Sequence, residues 1–384
     1  MFAMGEATFA MPQDELDKFE QGDSGMSAGY KRAGSNNVDA AGNLDTAHFI
    51  NVAKDDALAY PEVKHRTYPS ATTERVCPAL ATPRTCADSS EQFGTITTFV
   101  RKADDVLQGL MTVLEPRLGL EKGTLAKLHA EGDISGSETR CILKPAPGER
   151  GYLKEGVGED GNPAAAIGSH TDFGSFRCVA CVLATVNARL TSRWAACSMA
   201  VARVACRCSR LAPKSGSTSS LSRAAPSATS ATHCVRPRPC RNATRLTATT
   251  TAVYTGGLLR SNIHRVVPPP GEQAKYDRWS LVYFLRPGFD NELVPLDSDI
   301  IRKAASGHPT ISKMEHGITA GQWYKRRIAG QRAANRKGPE SWAQSRGTER
   351  ELAWCRCLRR ETDASAQTIH PRTSRSVHVA IDLP

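Results

Sequence analysis

Residues 166–177 read AIGSHTDFGSFR, an apolar run in which a histidine and an aspartate stand two positions apart. If this run is a β-strand, the alternation of side chains places His170 and Asp172 on one face and Thr171 on the other. An imidazole and a carboxylate are two of the three protein ligands of a non-haem Fe(II) site, and the third is a second histidine. Such a pair also arises by chance, as a loop histidine beside an aspartate in a turn. The rest of the chain has to decide between these interpretations.

A second histidine lies on a predicted strand much later in the chain. NIHRVV (262–267) and RWSLVYFL (278–285) have the β-branched and aromatic composition of strands, and PPPGEQAKYD between them is typical of a turn and loop. His264 lies on the first strand, and Arg278 and Ser280 share one face of the second. Taken singly, His264 could be a core histidine and Arg278 a surface cation.

Other regular elements are predicted before this region. PQDELDKFEQ (12–21) predicts a short helix that begins at Pro12, and HFINVA (48–53) predicts a strand. Residues 96–114 predict a longer helix, because their apolar positions follow the spacing of one buried stripe. The stripe consists of Ile96, Phe99, Val100, Ala103, Val106, Leu107, Leu110, Met111 and Leu114.

The order HTD, distal histidine and R-x-S resembles the isopenicillin N synthase-like family of Fe(II)- and 2-oxoglutarate-dependent oxygenases. The surrounding text is similar to that family too, particularly to its fungal branch, and the resemblance covers residues 1–75, 95–177 and 255–349. The similar stretches are GYKRAG, FINVAKDDALAYPEVKHRTYPSA, FVRKADDVLQGLMTVLEPRLGL, IGSHTDFGS, TGGLLRSNIHRVVPPPGE, RWSLVYFLRPG and GPESW.

The resemblance implies a fold, a site and a reaction. The fold is mainly β with flanking helices: a double-stranded β-helix (jelly roll), which we expect to be incomplete here and to contain disordered segments. His170, Asp172 and His264 would be the catalytic ligands of Fe(II), and Arg278 and Ser280 would bind 2-oxoglutarate, with O2 as the other co-substrate. The reaction would be hydroxylation or desaturation of a small organic molecule, as in secondary metabolism.

Lys144 departs from the family pattern. In ETRCILKPAP it stands where many relatives have a tyrosine before proline that helps to hold the co-substrate. That contact is therefore not expected in this chain.

The segment 178–254 differs in composition from the rest of the chain. It contains ten Arg, one Lys and no Asp or Glu, so that its charge equals the net charge of +11 of the whole protein. It also contains seven of the twelve cysteines. Its apolar residues do not recur with the period of 2 of a strand or of 3.6 of a helix, so no strand is predicted directly after FGS. The basic net charge thus belongs to one segment, and the rest of the chain is electrically balanced.

These observations divide the chain into four parts. Residues 1–175 carry an N-terminal helical region and the first jelly-roll strands, with 76–94 as a predicted insertion; 176–254 form a basic low-complexity segment, disordered or mistranslated. Residues 255–349 carry the last jelly-roll strands and a helix, and 350–384 form an atypical tail. A reading-frame fault or a retained intron explains the composition of the middle segment, its length and the abrupt return of family text.

Two alternatives to an active oxygenase stay open. The chain could be a catalytically inactive or misfolded product of a faulty gene model, or a basic nucleic-acid-binding chain. A zinc site built from CVAC or CRC lacks a second well-spaced ligand pair.

No run of 18 apolar residues and no basic leader is found. We therefore expect a cytoplasmic monomer that binds a small-molecule substrate and associates with neither membrane nor nucleic acid.

Overall fold

The computed structural model describes residues 1–60, 62, 64–65, 89–157, 165–172, 174–183, 250–259, 264–267, 274–306, 308 and 317–337. The strands are β1 (Gly29–Lys31), β2 (His48–Ala53), β3 (Glu138–Lys144), β4 (Ile167–His170), β5 (Phe176–Leu183), β6 (His264–Val266) and β7 (Arg278–Leu285). The helices are α1 (Phe2–Phe9), α2 (Gln13–Asp17), α3 (Lys54–Ala59), α4 (Ser89–Leu114), α5 (Thr124–Leu128), α6 (Thr250–Tyr254), α7 (Asp299–Ser306) and α8 (Ala320–Gln331).

Two antiparallel sheets organise these strands. The major sheet has the order β1-β2-β3-β7-β5, and the minor sheet pairs β4 with β6. From β3 to β5 the chain passes from the major sheet to the minor sheet and back, and from β6 to β7 it passes from minor to major again. This alternation between two sheets is the winding of a jelly roll. The predicted fold class, a β architecture with flanking helices, is confirmed.

The two faces of the major sheet differ, as the alternation of β7 allows: one is apolar, and the other mixes polar and apolar residues. Trp279, Leu281, Tyr283 and Leu285 are buried in the main hydrophobic core together with residues of α4. The intervening residues of β7 begin with Arg278 and Ser280 and point to the opposite face, which we call the inner face. Helix packing on one side thus leaves the inner face for the minor sheet.

Helix α4 begins earlier than the sequence predicts. It starts at Ser89, inside the predicted insertion 76–94, and ends at Leu114 as expected. The buried stripe is confirmed at Ile96, Val100 and Leu107, whereas Val106 is 43% exposed. The stripe is therefore narrower than the sequence suggested, because Val106 lies at its solvent edge.

The short predicted elements agree with the structure. Helix α2 begins after Pro12, β2 spans the predicted HFINVA, and β7 spans the predicted RWSLVYFL. Of the predicted strand NIHRVV, β6 covers His264–Val266; Val267 follows the strand, and residues 262–263 lie outside the described residues. Among the described residues no helix is long and apolar enough to cross a membrane.

The segment predicted to lack regular structure has ordered ends. Strand β5 pairs along its whole length with β7, so the expectation of no strand after FGS is wrong for Phe176–Leu183. The sequence hid this strand because FRCVACVL is apolar at most positions and shows no clean alternation. Helix α6 lies at the other end of the segment. Residues 184–249, together with 66–88 and 338–384, lie outside the described residues, so the predictions made for them are untested.

A buried histidine holds the turn between Asp172 and β5. His129 Nδ1 donates to the carbonyl of Leu125 at 2.7 Å, and its Nε2 lies 2.6 Å from Ser175 Oγ and accepts that hydroxyl proton. Ser175 also donates its backbone N–H to Leu285 at the end of β7. Thr251 Oγ1 donates to the Ser175 carbonyl at 2.8 Å. The turn that follows the HTD motif is therefore anchored to α5, α6 and β7 together.

Burial of this histidine predicts a loss of stability in acid. Burial lowers the pKa of His129 to about 4, although its hydrogen bond to Leu125 acts in the opposite direction. In the unfolded chain the pKa of this histidine is ~6.5. Between its folded and unfolded pKa values, the unfolded chain therefore binds more protons than the folded chain. The free energy of unfolding should fall by ~2 kcal/mol from pH 7 to pH 5, as urea titrations would measure. His129→Gln should flatten this dependence, and an unchanged slope in that variant would contradict the assignment.

Candidate metal centre and acid-binding site

Three predicted metal ligands lie close together at the end of the minor sheet where β4 ends and β6 begins. His170 is the last residue of β4 and pairs directly with His264, the first residue of β6. Their rings lie 4.3 Å apart between centroids. Asp172 follows two residues after β4 and is not part of the strand, so the predicted strand alternation does not place it. Its Oδ1 nonetheless lies 3.6 Å from the Nε2 of both histidines.

The hydrogen bond made by Nδ1 of His170 leaves its Nε2 available to a metal ion. Its Nδ1 donates to the carbonyl of Gly168 at 2.7 Å, which fixes the tautomer and leaves the lone pair on Nε2. A backbone carbonyl on the far nitrogen is a common orienting contact of metal-binding histidines. The Nε2 lone pair of His170 thus lies on the side of the ring that faces Asp172 Oδ1.

The three residues fit a divalent metal ion. One ligand atom from each of His170, Asp172 and His264 lies within 4.8 Å of the others, a separation that a small conformational adjustment can turn into coordination of one ion. Two imidazoles and a carboxylate on one side leave the remaining coordination positions open. Among the described residues this is the group of His, Cys, Asp and Glu side chains that could hold a metal.

A fourth residue, Arg177 on β5, contacts two of the three ligands. Its Nη1 lies 2.7 Å from Asp172 Oδ2 and 2.9 Å from His264 Nε2. Burial alone would raise the pKa of Asp172, but Arg177 and the two histidines outweigh it and lower that pKa below its ordinary value. Asp172 is therefore a carboxylate at neutral pH, the form that a metal requires.

Arg278 and Ser280 lie together on the inner face of the major sheet. They pair across the sheet with Lys144 and Ile142 of β3, and opposite residues of an antiparallel pair share a face. Arg278 Nη1 is buried and has no hydrogen-bond partner among the described residues. A buried guanidinium N–H without a partner is costly, and a bound carboxylate would satisfy it.

Lys144, the departure from the family pattern, is occupied by another contact. Its Nζ lies 2.8 Å from Glu155 Oε1 and 5.3 Å from the ring centroid of Tyr152. Glu155 therefore balances the charge of Lys144, although Lys144 is the cross-strand neighbour of Arg278. Arg278 is the better placed of the two cations for an added anion.

The three candidate ligands could be named from the sequence, but Arg177 beside them was not named. The structure brings His170, Asp172 and His264 together and places Arg278 and Ser280 on one face, as the motif pattern predicts. Arg177 was missed because it falls in the segment assigned as basic and irregular. A charged residue five positions after the HTD aspartate, in an apolar run, was the signal that could have identified it.

No protein-family model matches the chain, and no curated protein matches its sequence. Similar solved structures include a full-length Neurospora crassa protein in complex with alpha-KG, with 15% identity over 85% of this chain and 81% of that chain (TM-score 0.47). A 2OG-Fe(II) oxygenase family protein from Caulobacter crescentus has 17% identity over 85% and 83% (TM-score 0.47). JOX2 in complex with 2OG, Fe and JA has 14% identity over 88% and 75% (TM-score 0.45).

Removing one ligand should abolish tight metal binding. We expect Asp172→Ala and His264→Ala each to weaken Mn(II) binding by about 100-fold or more. Losing a residue that only hydrogen-bonds to a metal ligand already lowers metal affinity by up to about 100-fold. Isothermal titration calorimetry measures the affinity directly. Asp299→Ala is the control, because that carboxylate is exposed on α7. Equal Mn(II) affinity in all these proteins would show that the ion binds elsewhere.

Proposed function

We propose that this protein is an Fe(II)- and 2-oxoglutarate-dependent oxygenase that hydroxylates or desaturates a small organic molecule. One observation carries the proposal: two imidazole nitrogens and a carboxylate oxygen converge beside a sheet face on which Arg278 has an unsatisfied buried N–H. Arg177, which contacts Asp172 and His264, lies on the same face of the major sheet as Arg278, so one sheet face borders both the metal ligands and this guanidinium. The family resemblance of the sequence supports the same function.

The metal ligands would hold Fe(II) on one side. Bound there, Fe(II) would supply the activation of O2, with open positions for the 2-oxo acid. His170, Asp172 and His264 contribute the geometry and one negative charge. For hydroxylation, 2-oxoglutarate, O2 and a substrate C–H bond give succinate, CO2 and a C–OH bond. One oxygen atom enters the succinate and the other enters the product.

Arg278 and Ser280 would hold the far end of 2-oxoglutarate. A guanidinium binds a carboxylate in a two-point, charge-assisted hydrogen bond, and the Ser280 hydroxyl two residues later can add a third donor. Because Glu155 balances Lys144, the positive charge available to a ligand at this place is that of Arg278. Arg278 would thus select an acid with a second carboxylate and orient its 2-oxo end toward the metal.

The accompanying predictions stay proposals as well. They are a monomeric, cytoplasmic protein, a small-molecule substrate of secondary metabolism, and no nucleic-acid or membrane partner. A catalytically inactive chain is the alternative, and it would fail to release succinate from 2-oxoglutarate when Fe(II) and O2 are supplied.

Replacing Arg278 should remove the preference for a diacid. We expect Arg278→Met to weaken 2-oxoglutarate binding roughly 10- to 100-fold, which corresponds to the loss of hydrogen bonds to a charged group. The affinity for 2-oxovalerate, which has the same chain length but no second carboxylate, should be unchanged. Calorimetry with the Mn(II)-loaded protein measures both affinities.

Two comparisons make this experiment decisive. Arg278→Lys keeps the charge without the two-point geometry and should lie between wild type and Arg278→Met. Mn(II) affinity measured without any acid should be the same in all three proteins. If Arg278→Met binds both acids as the wild type does, Arg278 does not hold the co-substrate.

A further inference from the structure

Arg177 makes an unusual contact for a residue beside metal ligands. Its guanidinium donates from Nη1 to His264 Nε2 at 2.9 Å, so the lone pair of that nitrogen is already engaged. The same lone pair is the one that His264 would offer to a metal. A hydrogen bond from Arg177 and a bond to a metal ion therefore exclude each other at this atom.

The contact of Arg177 with Asp172 is of a different kind. Nη1 lies 2.7 Å from Oδ2, whereas Oδ1 is the oxygen that faces both histidines. A metal bound through Oδ1 leaves Oδ2 free to keep its partner. Arg177 can thus retain one contact and must give up the other when an ion enters.

Arg177 is held in this position by the sheet. It pairs with Phe284 of β7, so its side chain belongs to the inner face, and it is 19% exposed. Its Nε is buried and has no hydrogen-bond partner among the described residues. The guanidinium therefore depends on Asp172 and His264 for its polar contacts within the described part of the chain.

We propose that Arg177 is an internal cation that competes with the metal for the His264–Asp172 pair. In the metal-free protein it neutralises Asp172 and occupies the lone pair of His264, which keeps the site assembled. Metal entry breaks the bond to His264 and brings a divalent ion close to a guanidinium, and both effects weaken binding. Arg177 thereby sets the metal affinity of the site and stabilises its metal-free form. This inference rests on the metal centre of the proposed function.

The test is the affinity of the whole protein for Mn(II), which does not oxidise in air as Fe(II) does. Wild type, Arg177→Met and Arg177→Lys are stripped of metal and titrated by calorimetry. Arg177→Met should bind Mn(II) at least tenfold more tightly than wild type, about 1.4 kcal/mol. Arg177→Lys keeps a charge on a shorter side chain and should lie in between. Arg101→Met is the matched control, because Arg101 is exposed on α4 and should leave the affinity unchanged.

Thermal unfolding gives a second, independent readout. Without metal, Arg177→Met should unfold at a lower temperature than wild type, because Asp172 loses its cationic partner. Added Mn(II) should raise its unfolding temperature by more than it raises that of wild type, since tighter binding stabilises more. If the variant does not fold without metal, refolding in Mn(II) should restore it, and failure to do so would overturn the proposal.

The remaining outcomes separate this inference from the proposed function. Equal or weaker Mn(II) binding by Arg177→Met would overturn the competition, and weaker binding would make Arg177 a positioning residue for Asp172. Absence of Mn(II) binding in every protein would overturn both the competition and the metal centre. Tighter binding by Arg177→Met without any binding of 2-oxoglutarate would support the competition and refute the oxygenase.

Discussion

The pairing of β4 with β6 is the constraint on which the rest of the site depends. It sets His170 directly opposite His264, although the two residues come from opposite sides of the segment 184–249. Asp172 then needs only the turn after β4 to bring its Oδ1 between the two imidazoles. That turn is in turn fixed by His129 and Ser175, whose contacts reach α5 and β7. The three candidate ligands are thus positioned by the backbone pairing of β4 with β6 and by the hydrogen bond between His129 and Ser175.

The major sheet contributes by separating apolar and polar side chains. Its outer face is buried against α4, and a hydrogen bond of 3.0 Å from the Tyr283 hydroxyl to Asp104 fixes the helix on the sheet. The inner face carries Arg278, Ser280 and Arg177 together with apolar residues that include Val282 and Phe284. Cations on an inner face attract an anionic ligand, while Arg177 at the same time restrains the metal. The same sheet face therefore favours binding of the acid and weakens binding of the metal.

Much of this arrangement could be predicted from the sequence, for identifiable reasons. The strand RWSLVYFL was predicted to the residue because it is rich in β-branched and aromatic residues. The three candidate ligands could be named because their order in the chain resembles a family pattern. Strand β5 could not, because a strand whose residues are nearly all apolar has no alternation to detect. Val106 was expected in the buried stripe and is exposed, since spacing alone does not give the width of a buried face. The contacts of Arg177 with Asp172 and His264 could not be predicted either, because they depend on how β5 lies against β6.

The measurement that tests this account most directly is the mutual dependence of metal and co-substrate binding. A metal at His170, Asp172 and His264 and a diacid held by Arg278 belong to one site only if the acid also contacts the ion. Binding free energies are reciprocal, so 2-oxoglutarate should then tighten Mn(II) binding by the same factor by which Mn(II) tightens 2-oxoglutarate binding. We predict a factor of about ten or more, in the range typical of coupled sites. Two affinities that do not depend on each other would contradict the claim that these residues form a single oxygenase site.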